Sequence, residues 1–159
     1  MKKIFMTTMA AGVVFLGLTT PAVAETSGTQ RFLLIFRGPD VAPMAVATGP
    51  IRGVGTYDPV GDRLELPGGT VSLRSQMTTN EFNPDFDTCT ATVNQGGTWE
   101  IVAGTGAFEG ASGQGTARTL TGRVVGVRSP EGCSFGPGAV GVVVLRLEGT
   151  ASVASAAAA

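Results

Sequence analysis

Glycine punctuates this chain every few residues from residue 25 onward, and between the glycines apolar residues alternate or come in short blocks. Of its 24 glycines, only Gly12 and Gly17 precede residue 25. Beyond that point no ten consecutive residues carry the 3.6-residue period of an amphipathic helix. Glycine weakens a helix or strand interior, so a chain this rich in it must place it at turns, bulges and sharp bends. Valine and threonine fill the intervals, and both suit a pleated surface. The pattern predicts a turn-rich all-β domain.

The first 24 residues follow another logic. Met1, Lys2 and Lys3 form a short positive start, residues 4–18 are apolar and uncharged, and Ala22-Val23-Ala24 has the small-x-small form of a cleavage site. This reads as a secretory signal peptide with Glu25 as the new N-terminus. The apolar run is short of the ~20 residues a spanning helix needs. The expected organisation is a signal peptide at 1–24, a β-domain at 25–150 and an Ala-rich disordered tail at 151–159. The expected destination is the periplasm or the medium, with no membrane span in the mature chain.

Removing the leader removes both lysines, and the chain has no histidine. That excludes Ser-His-Asp and Cys-His nucleophiles, a lysine Schiff base and a His-ligated metal. The remaining basic residues are arginines scattered along an acidic chain, which gives no electrostatic footprint for nucleic acid. Cys89 and Cys133 are the two cysteines. In an oxidising compartment they are expected to pair, with two buried thiols as the alternative. Two thiolates without histidine make a poor metal site, and none is expected.

Strands are expected at 31–36, 51–57, 63–66, 70–77, 88–93, 98–103, 114–128 and 139–151. Residues 25–30 read as a frayed polar start, 41–50 as loop with some extended backbone, 80–87 as a long polar loop and 129–138 as a loop holding Cys133. Pro67-Gly68-Gly69 and Gln95-Gly96-Gly97 read as turns. Such a series fits an antiparallel barrel or sandwich. Glycines inside long strands favour the barrel, whose wall must coil sharply. In the strand around Trp99, apolar bulk turns Trp99 and Ile101 inward and leaves Thr98, Glu100 and Val102 outside.

The most distinctive segment runs from Gly104 to Gly115, Gly-Thr-Gly-Ala-Phe-Glu-Gly-Ala-Ser-Gly-Gln-Gly. It departs by one residue from the dinucleotide fingerprint, and no helix follows to supply an N-terminus for phosphate. Gly104, Gly106, Gly110 and Gly113 therefore read as structural, supplying positive φ and close backbone approach, with Phe108 plugging the end of the core. The segment resembles the glycine-rich stretch of plant allene oxide cyclases, and dirigent proteins carry a related Gly-Thr-Gly-x-Phe. The wider run from Phe82 through Cys89 and Trp99 to Cys133 resembles small exported bacterial proteins of that superfamily. The resemblance implies a single antiparallel eight-stranded barrel, allene oxide cyclase-like or calycin-like, with a mostly apolar lumen.

No acid of this chain aligns with a catalytic glutamate of such cyclases, so no catalytic residue is carried over. Glu65, Glu100 and Glu148 are strand acids expected on exposed faces. The expected function is an exported barrel that binds an apolar or amphipathic small molecule in its lumen, without cofactor, through Trp99, Ile101, Phe36 and Tyr57. One alternative is a cofactor-free cyclase or isomerase, which requires a buried acid facing the cavity. Another is a structural or partner-binding exported protein whose interior is plugged by Trp99, Phe36 and Phe108.

Overall fold

The computed structural model describes residues 25–38 and 41–154. The expected signal peptide and residues 155–159 of the expected tail lie outside them. Strands β1 (Glu25–Phe36), β2 (Met44–Thr48), β3 (Gly53–Asp58), β4 (Arg63–Leu66), β5 (Gly69–Asp85), β6 (Thr90–Gly104) and β7 (Ser112–Val125) follow one another along the chain. A small hairpin, β8 (Val127–Ser129) and β9 (Gly132–Ser134), precedes the last strand, β10 (Val140–Ala154). The only helical turn among the described residues is a 3-10 turn at Gly106–Phe108.

Eight of these strands form one antiparallel sheet that closes on itself in the order β1-β10-β7-β6-β5-β4-β3-β2. Each strand lies beside its neighbour in the chain, and β10 returns to pair with β1 along its whole length. Closure satisfies the ladder that an edge strand would leave open.

Alternation sends one side chain in two to the inside of this ring. Phe32 and Leu34 on β1, Ala45 and Ala47 on β2, Leu64 and Leu66 on β4, Trp99 and Ile101 on β6, and Leu145 and Leu147 on β10 meet there in one core. Phe32 meets the Trp99 ring edge-on at 5.4 Å. Gln30 is the one buried polar side chain among the described residues. Its carboxamide accepts the Ile51 N–H at 2.9 Å and donates to the Ile51 carbonyl at 3.1 Å, which pins the β2–β3 connection to β1. At that end of the ring Phe108 is buried at 6% exposure and closes the core, as expected of it. Gly106 (φ 61°) and Gly110 (φ 74°) take the left-handed conformation that this turn requires.

Several local expectations are corrected. Residues 25–30 are the first half of β1, held by register against Gly149 to Ala154 rather than by their own apolarity. Residues 44–48, inside the expected 41–50 loop, are strand β2. The expected loop at 80–87 is strand as far as Asp85, paired with β6. Gln95-Gly96-Gly97 is no turn, because β6 runs on through it, with a register shift against both β5 and β7. A Cβ on Gly97 would collide with the Gln76 carbonyl oxygen, so this glycine serves the close approach of β5 to β6. The expected loop at 129–138 contains the β8–β9 hairpin, and the strand expected to reach Arg128 breaks at Gly126. Finally, residues 151–154 of the expected disordered tail complete β10, with Ala151 and Val153 buried.

Candidate functional site

Strand lengths create the site. β4 pairs with β5 only from Gly69 to Ser72, whereas β5 continues to Asp85 alongside β6. β6, β7 and β10 run on with it, so four strands rise past one end of the ring as a curved wall. The β8–β9 hairpin folds over this wall and is tied to the start of β6 by the Cys89–Cys133 disulfide, with Cα atoms 5.5 Å apart. The Arg128 guanidinium donates to the Asp87 carbonyl at 2.6 Å and the Gly126 N–H to the Cys89 carbonyl at 2.9 Å. Phe135, just past β9, stands edge-on to Phe82 at 5.3 Å and to Phe86 at 6.1 Å.

Beneath these rings lies a hollow of about 220 Å³ lined by Phe36, Phe82, Val124, Phe135, Val140 and Val143, with Gly38, Ala139 and Gly141 between them. The lining carries no charged side chain, so the hollow can hold apolar matter by contact but offers nothing to polarise a bond. A larger depression of about 580 Å³ lies on the outer face of β5, β6, β7 and β10. Arg74, Gln76, Thr98, Glu100, Gln114, Thr116 and Thr150 line it, with Gly115, Gly149 and the buried Trp99 at its floor, and it opens to solvent.

The four expected ligand contacts separate. Phe36 lines the hollow. Tyr57 packs edge-on against Phe36 at 6.0 Å and does not itself line the hollow. Trp99 and Ile101 face inward as expected but sit in the closed core, where the indole N–H donates to the Thr116 carbonyl at 3.1 Å. Glu65, Glu100 and Glu148 all face outward in ion pairs, with Arg63 at 3.1 Å, Arg74 at 2.8 Å and Arg31 at 2.6 Å. Gly104 and Gly113 lie on strands beside the Phe108 turn, at the opposite end from the hollow.

The lining residues Phe82, Val124, Phe135 and Val143 were not foreseen. Large aromatics in a polar stretch were the available signal for Phe82 and Phe86. Phe135 follows Cys133 by two residues, so the expected disulfide already pointed it toward them.

Tyr57 is a titratable group packed against the core. Its hydroxyl donates to Asp62 Oδ1 at 2.8 Å, while Asp62 Oδ2 accepts the Ser75 N–H at 2.7 Å. Burial, then the hydrogen bond to Asp62, then the charges of Asp62 and Asp58 push its pKa well above the ordinary 10.0. The fold therefore favours the neutral phenol. Stability should hold below pH ~10 and fall as pH rises past it, because only the unfolded chain ionises easily there. This is the only tyrosine, so tyrosinate absorbance reads it directly. The native protein should titrate at higher pH than the unfolded chain, and Asp62→Asn should bring the native value part of the way down. Coincident native and unfolded titrations would contradict the buried geometry.

Among the described residues no three His, Cys, Asp or Glu side chains cluster to hold a metal ion, and no helix is long and apolar enough to cross a membrane. Compared with protein-family models, with curated proteins and with solved structures, the chain shows no match.

Proposed function

We propose that the chain is an exported protein that binds a small apolar molecule, without cofactor, in the hollow at the open end of its ring. The observation that carries this reading is the hollow itself, about 220 Å³ walled by phenylalanine and valine. A cavity of ~150 Å³ accepts benzene, so this one suits a single-ring or branched compound of about ten carbon atoms. A long acyl chain has no room, because the ring below is filled by Trp99, Phe32, Leu34, Leu64 and Leu147. The site is thus the mouth rather than the full length of the lumen.

The closed eight-stranded sheet, capped at one end by the Gly104–Gly115 segment, supports placing the chain in the allene oxide cyclase-like barrel superfamily. The leader-like residues 1–24 and the disulfide support export. Charged residues outside and an apolar core inside invert the arrangement of a lipid-spanning barrel. The cyclase alternative needs an acid facing the cavity, whereas the candidate acids Glu65, Glu100 and Glu148 face out in ion pairs. The packed interior instead favours a partner-binding protein as the second reading.

Calorimetry with monocyclic terpenoid-sized compounds tests the proposal. Saturable binding is expected, and Val143→Phe, which fills the hollow, should weaken it at least ten-fold while β-type circular dichroism persists. Long-chain fatty acids should bind poorly. Absence of saturable binding, or binding indifferent to Val143→Phe, would leave the partner-binding reading.

A further inference from the structure

The outer wall of the ring divides into halves of opposite charge. Strands β7, β10 and β1 carry Arg31, Arg118, Arg123 and Arg146 against Glu25 and Glu148, whereas β3 to β6 carry five acids against Arg63 and Arg74. On the basic half the register sets Arg146 directly opposite Arg118 and also beside Leu33. Like charges directly opposite weaken a sheet. One carboxylate serves the cluster, with Glu148 at 2.6 Å from Arg31 and 3.6 Å from Arg146. The Nε atoms of Arg31 and Arg146 are both buried without a hydrogen-bond partner.

The same wall turns apolar beside these arginines. Leu33, Ile35, Met44, Val46 and Val144 alternate with inward residues and therefore point out. Register joins them into one strip, with Leu33 opposite Val46 and Ile35 opposite both Met44 and Val144. Val142 extends the strip at 45% exposure. A contiguous apolar patch rimmed by charge marks an interaction surface.

We propose that this wall docks on an anionic lipid surface, the apolar strip entering the interfacial layer and Arg118, Arg146 and Arg31 meeting lipid phosphates. Charge and polarity together select this partner. A second copy joined through the same wall would set arginine against arginine. A second copy offering its acidic half would lay the strip against Arg74, Thr98 and Glu100, which are polar and exposed. An anionic bilayer supplies negative charge above an apolar layer, and the acidic half of the ring then faces water.

The test is flotation of the oxidised protein with vesicles of phosphatidylcholine alone or mixed with phosphatidylglycerol. Binding to the mixed vesicles is expected, weakening as salt rises while an apolar part remains. Arg118→Gln should weaken it about five-fold, and Val144→Thr should weaken it at all salt concentrations. Arg118 is exposed and Val144 half-buried on the outer face, so thermal unfolding should confirm that the variants fold. Equal binding to both vesicles, no binding to either, or binding that neither substitution changes would overturn the proposal. Inorganic phosphate that binds with the same affinity in the absence of lipid would make this a free-anion site and overturn it too. A stable oligomer by light scattering that Val144→Thr dissociates would assign the wall to a second copy instead.

Discussion

Replacing Trp99 with alanine should destabilise the fold by about 3–5 kcal/mol. The indole is 2% exposed, meets Phe32 edge-on and donates its N–H to the Thr116 carbonyl. Truncation removes that burial, opens a cavity that a closed ring cannot collapse around, and strands the carbonyl. Against a typical stability of 5–15 kcal/mol, the loss is a large share of the whole. Trp99→Phe retains an aromatic edge for Phe32 and should cost less. Denaturant unfolding measures both, and the emission of this sole tryptophan gives an independent check. It should be that of an indole shielded from water and should shift on unfolding. A variant within ~1 kcal/mol of the parent would contradict the core assignment. The same geometry separates Trp99 from binding. Any loss of ligand affinity in Trp99→Ala should follow from lost fold and recover under conditions that restore it.

Breaking the Cys89–Cys133 bond should remove up to about 4 kcal/mol, from the chain entropy of a loop closed across 44 residues. Reduction and the double change Cys89→Ser, Cys133→Ser should agree, since both free the same loop. Cys89 holds a positive φ of 54°, a conformation costly for a side chain. Cys89→Gly should therefore be milder than Cys89→Ser in the same Cys133→Ser background. A local consequence separates this bond from the ring. The β8–β9 hairpin has three-residue strands and pairs with no strand of the ring. Without the disulfide, Phe135 should leave Phe82 and Phe86 while the ring remains. Binding of apolar compounds in the hollow should then fall before the β-type spectrum does. Simultaneous loss of both would mean that the hairpin is integral to the ring.

Much of the ring was legible from short-range pattern. Alternation around Trp99 gave the inward and outward sets on β6, and bulk decided which was which. The glycines at 106 and 110 announced a turn that needs positive φ, with Phe108 as its apolar plug. The number of ring strands came out at eight, although through two offsetting errors. Residues 44–48, within a segment that reads as loop with some extended backbone, form a full strand, and Gly96-Gly97, which reads as a turn, lies inside β6. Both have one physical origin. A strand of alanine, valine and threonine among prolines carries little signal of its own, and β2 exists because β1 and β3 offer it ladders. A Gly-Gly pair ends a strand locally, but it also permits two backbones to approach, and only the facing strand tells which.

The candidate site was less legible because its parts are far apart in the chain. Phe36, Phe82, Phe135 and Val143 come from four separate segments and meet through strand lengths that no local period encodes. By itself the sequence determined the β class, the cysteine pair, the inward face of Trp99 and the positive-φ turn at Gly106 and Gly110. Each rests on local stereochemistry or on residue type. Tertiary structure alone decided that the ring is filled rather than hollow, since packing depends on which side chains meet across the interior. It also decided that the cavity lies at the end where β5, β6, β7 and β10 outrun β4, because register between distant strands fixes where a wall stands without a partner.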